Sequence, residues 1–124
     1  MAKGRNAVLD TNVLVYFFAG NYNAGEIVRQ YNTIISAITT IELLSGKKQT
    51  IKERELIKDF LDGLTLFQTT PLISELAVKF RLSYNLTVTD AIIAATAKYL
   101  DMPLITSDTA FFKIKEIEII PFTK

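Results

Sequence analysis

Ala7-Val8-Leu9 is a short apolar run that gives way to Asp10-Thr11-Asn12, residue types that favour a turn or the start of a helix. The change reads as a strand feeding a helix. Val13 to Phe18 supplies that helix, stopped near Gly20, and Ala24 to Tyr31 supplies a second. The same alternation then recurs. Thr33-Ile34-Ile35-Ser36 is a β-branched strand, followed by a helix opening at Thr39 to Leu44 that Gly46 ends or bends. Ile51 to Leu64 carries apolar residues at helical spacing, and Leu64 to Gln68 is a brief strand. Pro71 opens a helix with Leu72, Leu76, Ala77 and Phe80 as its apolar stripe, and Asp90 to Leu100 forms an Ala-dense helix. Leu104-Ile105-Thr106 and Glu118-Ile119-Ile120 are the last strands. Strands separated by helices imply parallel pairing, hence an α/β fold: a three-layer α/β/α sandwich around a central parallel sheet. In such sheets the functional crevice lies at the carboxyl ends of the strands.

At 124 residues the chain is one domain, 1–124, with no repeat or linker to divide it. No segment approaches the ~18 apolar residues of a membrane span, and the opening Met-Ala-Lys-Gly-Arg-Asn is followed by too few apolar residues for a secretory signal. Zero cysteines fits a reducing compartment, so a cytoplasmic protein without a membrane is the expectation. Net charge is +1, from 14 Lys+Arg against 13 Asp+Glu, which excludes a protein held on nucleic acid by overall charge alone. The densest cationic stretch, Lys47, Lys48, Lys52, Arg54 and Lys58, is interleaved with acids and reads as a solvated helix face. Tyr16, Phe17 and Phe18 could stack on bases, but core packing is the simpler reading.

Four acids share one setting, where a strand or turn meets a helix: Asp10, Glu42, Asp90 and Asp108. The chain has no histidine and no cysteine, so imidazole bases, Ser-His-Asp triads, thiolate nucleophiles and ordinary structural zinc sites are excluded. Oxygen-only ligands suit hard cations such as Mg²⁺ or Mn²⁺. Each acid also has a local explanation. Thr39-x-x-Glu42 matches a capping box, Asp90 suits a helix first turn, Asp10 an N-cap and Asp108 a turn. Two carboxylates ~4 Å apart repel by roughly 4 kcal/mol at an effective dielectric of 20, so a converged cluster calls for a divalent counter-charge. The reaction this implies is phosphodiester hydrolysis. Thr11, Asn12, Thr106 and Ser107 can hydrogen-bond the acids.

With Asp10-Thr11-Asn12 closing the first strand, Ser36-x-x-Thr39-x-x-Glu42-Leu43, Asp90-Ala91-x-Ile93-Ala94-Ala95 and Leu104-x-Thr106-x-Asp108-x-x-Phe111, the chain resembles the PIN-domain ribonucleases. Its length is most similar to the VapC toxins of type II toxin–antitoxin pairs. The resemblance runs from about Ala7 to Pro121. It implies Mg²⁺ or Mn²⁺ held by Asp10, Asp90 and Asp108, with Glu42 completing the pocket directly or through water and Thr106 supporting it. It further implies an endoribonuclease acting on structured RNA such as tRNA or rRNA, a homodimer, and a cognate antitoxin. A PIN-domain RNA-processing nuclease without an antitoxin, or a non-catalytic PIN-like interaction module, would carry similar residues. A haloacid-dehalogenase-type phosphatase also places Asp after its first strand, but wants a second Asp where this chain has Asn12.

Overall fold

The computed structural model describes residues 4–124, so Met1, Ala2 and Lys3 of the opening segment lie outside the described residues. Five strands form one parallel sheet in the order β3-β2-β1-β4-β5. They are β1 (Asn6–Leu9), β2 (Asn32–Ser36), β3 (Thr65–Phe67), β4 (Leu104–Thr106) and β5 (Ile119–Pro121). Six α-helices connect them: α1 (Thr11–Phe18), α2 (Tyr22–Gln30), α3 (Ala37–Leu44), α4 (Ile51–Asp62), α5 (Pro71–Tyr84) and α6 (Val88–Leu100).

Successive strand residues point to opposite faces, and that period sorts the core into two. Ala7, Leu9, Ile35 and Ile105 pack with Val13, Leu14, Ala24, Val28 and Leu61, so α1, α2 and α4 cover one face. Val8, Ile34 and Leu104 pack with Ile73, Ala77, Phe80 and the Ala-rich run of α6, so α5 and α6 cover the other. The three-layer expectation holds. Tyr16, Phe17 and Phe18 pack against the first of these cores, with Phe17 and Phe18 both against Phe60. They are packing residues.

Four of the six helices (α1, α2, α3 and α6) start two residues earlier than periodicity alone suggests, and in α2, α3 and α6 a polar residue ahead of the apolar stripe caps them. Asn21 accepts from the Ala24 N–H at 2.9 Å and starts α2 at Tyr22, and Thr87 accepts from the Asp90 N–H at 3.2 Å and starts α6 at Val88. Ser36 accepts from the Ile38 N–H at 3.2 Å and starts α3 at Ala37. Thr39 is therefore inside α3, and the Thr39/Glu42 capping box does not form. A capping box does form at α4, where Thr50 and Glu53 satisfy each other's backbone N–H. Thr50→Ala should lower stability by about 1 kcal/mol in urea unfolding. An unchanged midpoint would mean that α4 is held by packing and by Arg54, which donates to the Leu44 and Gly46 carbonyls.

Candidate functional site

β1 is central, and the chain's crossovers reverse direction around it: β2 and β3 are added on one side, β4 and β5 on the other. A crevice opens at the carboxyl ends of strands flanking such a reversal. Asp10 lies there, one residue beyond β1, with its backbone N–H donating to the Ile105 carbonyl of β4 at 3.0 Å. It occupies the N-cap position of α1 yet makes no side-chain capping bond. Instead its Oδ2 accepts from the Thr106 hydroxyl at 2.7 Å. Asp10 is only 5% exposed and Thr106 is fully buried.

Burial pushes the Asp10 carboxyl up to about 6; the Thr106 hydroxyl works against this, while the negative charges of Asp90 and Asp108 add to it. Asp90, at the third position of α6, is also raised, first by burial and then by Asp108 and Glu42, with Thr87 opposing. Asp90 and Asp108 act on Asp10, and Asp108 and Glu42 act on Asp90, so the four sequence-predicted acids share one electrostatic neighbourhood. No basic side chain is among the groups that perturb Asp10 or Asp90.

The remaining contacts show how the acids are held. Asp108 accepts from the Ala110 N–H at 2.9 Å and so caps the short 3-10 turn Thr109–Phe111, while its own N–H donates to Thr106 at 2.9 Å. Its turn role and its place in the cluster coexist. Glu42, on α3, accepts from the Thr11 hydroxyl at 2.6 Å. Asn12 donates to the Ser107 hydroxyl at 2.9 Å, tying the start of α1 to the loop after β4, and its buried Oδ1 has no protein partner. Thr39 and Thr87 were missed as members of the site. Their local signals are ordinary helix-capping patterns, and only the fold brings them here.

Among the described residues no three acids are gathered tightly enough to close around an ion by themselves. A cation here would need waters to complete its shell, as Mg²⁺ commonly does. The donor set is all oxygen, and a buried, unneutralised carboxylate at its centre fits a hard cation. The helix-terminus reading and the cluster reading of Asp90 predict different stabilities. Crowding means that Asp90→Asn should hold or raise metal-free stability while shrinking the gain from Mg²⁺; thermal melts in EDTA and in excess Mg²⁺ measure both. A loss of a few tenths to ~1 kcal/mol in both conditions would instead assign Asp90 to the helix macrodipole alone.

No curated protein sequence matches the chain. Among solved structures, a toxin–antitoxin complex from Klebsiella pneumoniae is similar at 29% identity and TM-score 0.82, covering 92% of this chain and 95% of that one. DNA-bound VapBC from Salmonella typhimurium is similar at 20% identity and TM-score 0.82, covering 98% of each chain. VapBC-1 from nontypeable Haemophilus influenzae gives 22% identity and TM-score 0.80, over 96% of this chain and 99% of that one. The PIN domain matches residues 7–117, which takes in all four acids and every strand but the last. A match of that extent, over nearly the whole chain and on this parallel sheet, means that the chain belongs to the PIN domain family.

Proposed function

We propose that this protein is a metal-dependent endoribonuclease and the toxin of a toxin–antitoxin pair, cleaving structured RNA such as tRNA or rRNA. The observation that carries the reading is the nearly buried Asp10 carboxyl at the β1–β4 switch point, raised first by that burial and further by the negative charges of Asp90 and Asp108. A domain that only binds RNA, a polyanion, gains nothing from concentrating negative charge in its crevice. Asp10, Asp90 and Asp108 would hold Mg²⁺ or Mn²⁺ together with bound waters that complete its shell, with Glu42 joining directly or through water. When bound, the cation supplies stabilisation of charge on the scissile phosphate and a hydroxide source near neutral pH. The protein's own part is positional. Thr106 fixes one oxygen of Asp10, Thr11 holds Glu42, and Asn12 braces the Ser107 loop with an acceptor oxygen left for water or substrate.

Partners belong to the same reading. The similar structures are toxin–antitoxin and VapBC assemblies. On this chain, exposed Val15, Ile41, Ile51 and Leu56 on α1, α3 and α4 offer apolar surface to an antitoxin whose basic side chain could enter the acidic crevice. A groove of about 240 Å³ between α5 and α6, with Val78, Val88 and Ile92 in its walls and Leu82 beside it, offers a face for a homodimer. Incubating the purified chain with tRNA and rRNA in Mg²⁺ or Mn²⁺ should give discrete fragments that EDTA abolishes. Intact RNA under every condition would make the chain a binding module, and EDTA-resistant cleavage would remove the metal. Growth arrest on expression, relieved by the product of an adjacent reading frame, would test the toxin.

A further inference from the structure

Thr39 is fully buried at the third position of α3 and carries a hydroxyl whose partner lies on another helix. Thr96, well inside α6, bonds back to the Ile92 carbonyl at 2.7 Å, whereas four residues before Thr39 lies Ile35 of β2, so no helical carbonyl is placed to accept from it. Thr39 instead reaches across to α1, where its Oγ1 lies 3.0 Å from Thr11 Oγ1. Thr11 in turn lies 2.6 Å from Glu42 Oε1. A hydroxyl has one proton and an ionised carboxylate only accepts, so the chemistry fixes the direction of both bonds. Thr11 must donate to Glu42, which leaves Thr39 as the donor to Thr11.

We propose that Thr39 is a positioning residue for the acidic site: through Thr11 it holds the Glu42 carboxylate in place. The inference rests on the nuclease reading of that crevice. Thr39 and Glu42 are three residues apart and so share one face of α3. Glu42 is itself exposed and long, free to swing unless tethered. The tether is anchored at its far end by a side chain that solvent cannot reach, and successive donors in such a chain polarise one another. Glu42 acts on Asp90, so a loose Glu42 alters the charge that a metal ion would meet.

The test is a cycle of Thr39→Val, Thr39→Ser, Glu42→Gln and Thr39→Val/Glu42→Gln, with Thr11→Val as a second break in the chain. Mn²⁺ affinity, read by water-proton relaxation without RNA, and kcat and KM for RNA cleavage are measured on each, alongside a thermal melt. Thr39→Val should lose about tenfold in kcat with KM little changed, the range found when a partner that orients a metal ligand is removed. Mn²⁺ affinity should fall with it. Thr39→Ser, which keeps the hydroxyl, should recover most of the loss, and Thr39→Val should add nothing once Glu42 is Gln. Should Thr39→Val fail to fold, Thr11→Val must show the same loss, absent in the Glu42→Gln background. Wild-type-like Thr39→Val, a loss that Thr39→Ser does not recover, or a loss that persists undiminished beside Glu42→Gln overturns the proposal while leaving the nuclease intact. A wild-type protein that neither binds Mn²⁺ nor cleaves RNA overturns the nuclease reading itself, and the positioning role with it.

Discussion

Asp10→Asn should make the metal-free protein more stable at pH 7 by roughly 3 kcal/mol, the free energy of a rise of about two units from an unfolded carboxyl near 3.9. The folded Asp10 titrates at about 6, so between these values the native state binds more protons than the unfolded chain. Wild-type stability therefore falls as pH rises from about 4 to 6, and the deficit is complete above 6. Asparagine cannot ionise, yet its carbonyl oxygen can still accept from Thr106. The variant should be spared the loss. Urea unfolding in EDTA across this range should show the two proteins converging near pH 4 and separating towards neutrality. Parallel curves would mean that Asp10 is solvated well enough to ionise without penalty.

The same substitution should abolish what the crevice is for. Removing the negative charge from the most buried of the four acids takes away both a ligand and a preorganised electrostatic element, with an expected loss of about a hundredfold or more in RNA cleavage. Titrating Mg²⁺ against wild type and Asp10→Asn under single-turnover conditions, with the melt confirming a folded variant, measures it. Near-wild-type cleavage, with contaminating nuclease excluded, would take Asp10 out of the mechanism. Together the two results would describe a stability sacrificed at a working site: the residue that most destabilises the apo protein would be the one the reaction most needs.

The layers and the location of the acids were legible because they depend on short-range pattern. Ala7-Val8-Leu9 and Ile34-Ile35 alternate between two cores, and an acid directly after such a run falls at a strand's carboxyl end. Strand order was not legible. Nothing local in Leu104-Ile105-Thr106 says that it lies beside β1, or that Thr106 will bond an aspartate 96 residues away. Helix starts erred for a different reason, since the pattern Thr-x-x-Glu occurs twice and means different things. At Thr50 it closes a capping box; at Thr39 the cap has already been taken by Ser36, and both side chains are released for contact with Thr11. Local chemistry is the same in the two places, and the preceding strand decides between them.

The strand order β3-β2-β1-β4-β5 also governs when the crevice comes into being. Residues up to Leu100 already carry Asp10, Glu42, Asp90 and all six α-helices, while β4 and β5 come later in the chain. Until β4 arrives, however, the central strand has an open, apolar edge, and the Asp10 carboxyl lacks the Thr106 hydroxyl. Such an edge invites pairing with other chains. A product that stops before β4 would keep that edge exposed and lack the Thr106–Asp10 bond, so it should be prone to aggregation and proteolysis.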